Sequence, residues 1–155
     1  MLRKIVSGGQ TGADRAALDA ALASGFPHGG WCPRGRRAED GPIPDRYRLN
    51  ETPRKEYRQR TSWNVRDSDG TLLLVRKGIR GGTRYTLRCL AEAGKPFLVV
   101  NPDTRSAEGD VLQWLEKHSV EVLNIAGPRE SSDPDIYLAA RNFLVGLFAA
   151  VTLKP

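Results

Sequence analysis

Thr71-Leu72-Leu73-Leu74-Val75-Arg76-Lys77-Gly78-Ile79-Arg80-Gly81-Gly82-Thr83 holds the pattern that decides the fold. Thr71 to Val75 is a short apolar run without alternation, the signature of a strand buried on both faces. It enters a glycine-rich turn, and Thr83 to Ala93 reads as a helix stopped by Gly94, where a left-handed residue is favoured. Outward in both directions the unit repeats. Lys4 to Ser7 reads as a strand and Ala13 to Ser24 as a helix, with a short strand near Trp31. Residues 33–50, rich in Gly, Pro and Arg, read as a long loop, and Pro53 to Asp67 as a helix. Pro96 to Val100 is a strand, Ser106 to His118 a helix, and Val120 to Ile125 a strand. Asp133, as cap, and Pro134 then open a last helix.

This alternation predicts an α/β fold: a three-layer, Rossmann-like open parallel sheet with helices on both faces. The 155 residues fit a single ligand-binding domain, 1–155. The opening residues run straight into a strand, leaving no room for a signal peptide. Ile136 to Leu153 is the most apolar stretch, but Arg141 and Asn142 interrupt it, so it reads as a buried helix and not a membrane span. Within it Ile136, Phe143, Leu144, Leu147, Phe148 and Val151 form broad apolar faces, suited to a core or to a subunit interface. Cys32 and Cys89 lie far apart in sequence with no second thiol near either, which argues against a disulfide framework or a zinc site and fits a reducing cytoplasm. The formal charge is +6. Residues 34–88 hold 13 Arg and 2 Lys against 7 Asp or Glu, enough to draw an anionic ligand towards that part of the chain.

In an open parallel sheet the ligand binds outside the carboxyl ends of the strands. The loops leaving those ends are Ser7-Gly8-Gly9-Gln10-Thr11-Gly12-Ala13-Asp14, the 33–50 loop, Arg76 to Thr83, Asn101 to Thr104, and Ala126-Gly127-Pro128-Arg129-Glu130-Ser131-Ser132. In the first, Gly8, Gly9 and Gly12 expose backbone N–H groups to an anion, and Thr11 with Asp14 forms a capping-box-like pair. The spacing matches neither the P-loop nor the dinucleotide fingerprint, which disfavours NAD-type redox chemistry. Gly78, Gly81, Gly82 and Thr83 repeat the device beside Lys77, Arg80 and Arg84. Between them Arg60, Thr61 and Asn64 share a helix face, from which Arg60 could clamp phosphate.

Asp67-Ser68-Asp69-Gly70 is a turn and not a calcium loop, with Asp69 free to hold an arginine. His28 and His118 lack partners for metal binding or nucleophilic catalysis, and no hydrolase triad is present. Asp14, Asp69 and Glu130 are the candidates if the site is catalytic.

Several stretches resemble the molybdenum carrier family, whose members are similar to molybdenum-cofactor carrier protein. They are Ser7 to Asp19, Trp31 to Pro44, Arg60-Thr61 through Asn64-Val65 to Ser68-Asp69-Gly70-Thr71, Gly81-Gly82-Thr83, and Asn124 to Ser131. The resemblance covers nearly the whole chain, in order. It implies membership of a Rossmann-like superfamily that also contains lysine-decarboxylase-like phosphoribohydrolases and DNA-processing proteins. It implies a ligand cleft lined by Gly8, Gly9, Thr11, Gly12, Gly81, Gly82 and Thr83. The phosphoribohydrolases carry a catalytic Glu where Thr86 stands here, and a neutral hydroxyl cannot replace it as acid or base.

The combined expectation is a non-catalytic carrier of molybdenum cofactor (molybdopterin) or a related phosphorylated pterin or nucleotide. The ligand would be held by Gly8, Gly9, Gln10, Thr11, Gly12, Arg60, Lys77, Gly81, Gly82, Thr83 and Arg129, with no protein-bound metal. A cytoplasmic homo-oligomer delivering to a molybdoenzyme is the implied setting, without membrane or nucleic-acid partners. The alternative is a nucleotide sensor, or an enzyme hydrolysing N-glycosidic or phosphate bonds.

Overall fold

The computed structural model describes residues 1–153; the last two residues of the expected domain lie outside them. The chain runs β1 (Lys4–Val6), α1 (Ala13–Ser24), β2 (His28–Gly29), β3 (Trp31–Cys32), β4 (Arg37–Ala38), β5 (Gly41–Pro42), β6 (Asn50–Glu51), α2 (Tyr57–Arg66), β7 (Gly70–Leu74), α3 (Gly81–Ala93), β8 (Phe97–Val100), α4 (Ala107–Lys117), β9 (Val122–Ala126) and α5 (Ile136–Leu153). Five strands form the main sheet in the order β2-β1-β9-β7-β8, every pairing parallel. Two small pairs, β3 with β6 and β4 with β5, lie outside it. The expected Rossmann-like α/β architecture is what forms.

The apolar run at β7 is central because both of its faces are covered. Leu72 and Leu74 enter the core made with α1, α4 and α5, whereas Leu73 and Val75 enter the opposite core with Val65, Cys89 and Leu90. Helix α1 shows why the first layer is tight. Ala13, Ala16, Ala17, Ala20 and Ala21 recur at helical spacing and are fully buried, so small side chains let α5 approach closely. Ile136, Phe143, Leu144, Leu147 and Phe148 meet that stripe and the sheet from α5. The apolar face read as core or interface is therefore core, with Val151 packed at its margin. Gly94 ends α3 with φ 64°, as its position predicts. No helix among the described residues is long and apolar enough to cross a membrane.

The 33–50 segment is ordered despite having no periodicity. Arg36 gathers four carbonyls, those of Ile43, Pro44, Tyr47 and Leu49, onto one guanidinium. Tyr47 is fully buried with Leu18, Cys32, Ile43 and Leu49, and its hydroxyl donates to Asp19 at 2.5 Å. Burial, and then that carboxylate, push the Tyr47 phenol up to about 12. Part of the cationic excess is thus spent on folding the loop. Arg15 does the same, pairing with Asp40 at 3.0 Å and donating to the Gly9 carbonyl.

Candidate ligand-binding cleft

Helices α1 and α5, which follow β1 and β9, lie on one face of the sheet, while α3, which follows β7, lies on the other. That divergence opens a crevice at the carboxyl ends of β1, β9 and β7, where such sheets bind ligands. A cleft of about 470 Å³ occupies it, lined from the β1–α1 loop, α2, the β7–α3 turn and the end of β9.

The β7–α3 side is open and cationic. Arg80 precedes α3 without making a side-chain cap; the Thr83 N–H donates to the Arg80 carbonyl at 3.2 Å, whereas the Gly81 and Gly82 N–H groups, on residues that line the cleft, have no hydrogen-bond partner among the described residues. A Cβ built on Gly78, Gly81 or Gly82 meets no atom within 4 Å. Gly81 has φ 51°, a left-handed conformation that favours a residue without a side chain, whereas Gly82 has no such conformational reason to be glycine. What the bare backbone at Gly82 provides is close approach to donors at the positive end of the α3 dipole. Lys77 and Arg80 flank this turn, and Arg58 and Arg129 also line the cleft.

The β1–α1 side is closed by the protein itself. Asp14 Oδ2 accepts from Arg60 Nη1 at 2.8 Å, and the Gln10 N–H points at the same oxygen from 3.4 Å. Gln10 Oε1 accepts from the Thr11 and Glu39 N–H groups, and the Pro128 carbonyl takes the Ala13 N–H. The guanidinium of Arg60 lies over Gly8, where a Cβ would come within 1.8 Å of Nη1. Gly8 is thus bare to seat an arginine. Burial pushes the Asp14 carboxyl up, with the Arg60 charge pulling against it. Arg60 is neutralised by Asp14 and is not a free phosphate clamp.

Of the residues expected to hold the ligand, Gly8, Gln10, Arg60, Lys77, Gly81, Gly82, Thr83 and Arg129 line the cleft. Gly9, Thr11 and Gly12 do not. A Cβ on Gly9 would meet Ile43 and Leu49, 2.8 Å away in the loop core, and one on Gly12 would lie 2.3 Å from the Pro128 carbonyl oxygen. These glycines permit packing. Thr11 does not cap α1: Gly12 holds that position, and the Thr11 hydroxyl donates to Glu39 and accepts the Glu130 N–H.

The acid–base candidates are also placed by their partners. Glu130 accepts the N–H groups of Asp135 and Tyr137, capping the start of α5. Asp133, expected as that cap, instead receives two hydrogen bonds from Arg76, at 3.0 and 2.8 Å, and lies 3.4 Å from Lys77. The bonds from Arg76 hold its carboxyl below the usual range. Asp69 binds the Glu121 and Val122 N–H groups and no arginine. Asn64 is spent on both polar groups of the Trp31 backbone, and Thr86 donates to the Gly82 carbonyl. His28 accepts the Arg48 N–H, and His118 packs against Trp114. No group of three or more His, Cys, Asp or Glu among the described residues could hold a metal.

Two cleft features were not singled out from sequence. Tyr85 packs under Arg58, 5.1 Å from guanidinium carbon to ring centre. Asn124, buried in β9, donates to Thr71 and lines the cleft floor. Its signal was a lone amide in an apolar strand.

Comparison with known proteins agrees with this architecture. Residues 5–148 match the family described as "Circularly permutated YpsA SLOG family". A crystal structure of a "putative molybdenum carrier protein" from Syntrophus aciditrophicus superposes with a TM-score of 0.90 at 45% identity, over 95% of this chain and 94% of that one. No curated protein matches.

Proposed function

This chain belongs to the circularly permuted YpsA SLOG family, and from that membership we propose that it is a carrier whose cleft binds a phosphorylated small molecule. Molybdenum cofactor, or a related phosphorylated pterin or nucleotide, is the ligand. The observation that carries this reading is the uncapped start of α3, where Gly81 and Gly82 leave donors open beside Lys77 and Arg80. The similar protein from Syntrophus aciditrophicus bears the molybdenum carrier name, which supports the cofactor as first choice.

The residues suit the organic part of such a ligand. A terminal phosphate would sit at α3, and a flat ring would lie against Tyr57, Tyr85 and the guanidinium planes. Cys32 and Cys89 are both buried and neither lines the cleft, so the metal would be carried by the dithiolene of the cargo and not by protein sulfur. Carriage is favoured over hydrolysis by the pairing of the cleft's acids. Asp14 and Asp133, the cleft's lining carboxylates, are held by Arg60 and Arg76, and Thr86 supplies no carboxyl.

Delivery to a molybdoenzyme, self-association and a cytoplasmic setting belong to the same proposal. Native mass spectrometry of the purified protein, followed by titration with molybdenum cofactor and nucleotides, tests it. Near-stoichiometric, selective cofactor binding is expected. Preference for an ordinary nucleotide, with no response to cofactor, would move the reading to a nucleotide sensor or enzyme.

A further inference from the structure

We propose that Asp14 reads a hydrogen-bond-donating edge of the ligand, so that the cleft selects a phosphorylated molecule whose flat heterocycle carries ring N–H or amino groups. The 2-amino-4-oxo edge shared by guanines and pterins has this chemistry. The inference rests on the reading that the ligand's phosphate sits at α3.

Asp14 is only 3% exposed, yet it lines the cleft. Its protein hydrogen bonds, from Arg60 and Gln10, both end on Oδ2. No described donor reaches Oδ1. Among the described residues the one sealed side-chain polar atom without a partner is Arg60 Nε, so Oδ1 keeps solvent access on a residue that lines the cleft. A carboxylate oxygen in that position repels phosphate and accepts N–H.

The surroundings favour a ring over a sugar. Arg60 lies over Tyr57, 5.6 Å from the ring centre, and Arg58 lies over Tyr85 at 5.1 Å, giving planar surfaces beside the acceptor. Asp14 stands in the first turn of α1, fixed on the β1 side of the crevice, while Gly81 and Gly82 stand on the β7 side. Strand β9 separates the two, which sets the strand ends roughly 10 Å apart. One end therefore attracts an anion and the other a donor, a polarity that a nucleotide-like ligand satisfies lengthwise.

Calorimetric titration with GMP, 1-methylinosine monophosphate (whose six-membered ring has no N–H) and ribose 5-phosphate tests the assignment. The wild-type protein is expected to bind GMP about tenfold or more tightly than 1-methylinosine monophosphate. Asp14→Asn should close that gap. Because Asp14→Asn also strips Arg60 of its counter-charge, the wild-type comparison of the two nucleotides decides the matter if the variant does not fold. Equal wild-type affinity for the two nucleotides, with both still bound, overturns the role of Asp14 and leaves the phosphate cradle standing. Failure of all three ligands to bind overturns both.

Discussion

Arg60 Nη1 lies 2.8 Å from Asp14 Oδ2, and its guanidinium occupies the space a side chain on Gly8 would need. Three residues from the β1–α1 loop, α1 and α2 are thereby fixed to one another at the cleft edge.

Removing the cation exposes what the pair does for stability. Arg60→Ala is expected to cost about 3 kcal/mol by leaving a buried carboxylate unmatched. Burial already raises the Asp14 pKa, and losing Arg60 raises it further. A raised carboxyl penalises the fold once pH exceeds its unfolded value of 3.8. The deficit should therefore be smallest in acid and grow towards neutral pH. Urea denaturation across that range checks it, and a deficit that is independent of pH would contradict the pairing.

The opposite sign holds at Asp133. Its carboxyl is depressed by Arg76, so the pair stabilises above the unfolded value of 3.8 and is lost as pH falls through the lower folded value. Asp133→Asn should cost about 2 kcal/mol at neutral pH. The variant and wild-type melting curves should converge in strong acid. Persistent separation there would show that the side chain stabilises by something other than its charge.

The two kinds of glycine should separate cleanly in melting experiments. Gly12→Ala drives a methyl group to 2.3 Å from a backbone carbonyl oxygen and should cost about 3 kcal/mol or more. Gly82→Ala meets open space inside a helix and should be neutral or stabilising by about 0.5 kcal/mol. Equal losses would mean that Gly82 serves the fold.

Leu147 tests the role of α5. It is fully buried against the α1 layer, so Leu147→Ala should cost about 3 kcal/mol. That loss should not depend on protein concentration. A loss that shrinks as the protein is concentrated would return this face to a subunit contact.

The sheet was legible because its signals are local. Leu72-Leu73-Leu74 has no alternation, and Ala13-Ala16-Ala17-Ala20-Ala21 has helical spacing, so neither needs knowledge of distant residues. The glycine turn at α3 was legible for the same reason. Long-range partnerships were not. Thr11 with Asp14 has the spacing of a capping box, but the Thr11 hydroxyl is taken by Glu39 and by the Glu130 N–H, both from separate loops. Arg36 organises residues 43–49 through carbonyls, which carry no mark in the sequence. Arg60 was recognised as a cleft residue, but only the fold reveals that Asp14 neutralises it. Glycines read alike in sequence, so Gly9 and Gly12, bare for packing, could not be told from Gly82, bare without a packing reason.

The central claim is that a ligand phosphate sits against the first turn of α3. Calorimetric titration of molybdenum cofactor into wild-type and Gly82→Asp protein tests it most directly, because a Cβ at Gly82 meets no atom within 4 Å and the carboxylate brings a negative charge to that turn. The account predicts an unchanged or slightly higher melting temperature and an affinity weakened about a hundredfold, the combined effect of charge repulsion and lost N–H contacts. An unchanged affinity in a folded Gly82→Asp protein would contradict it.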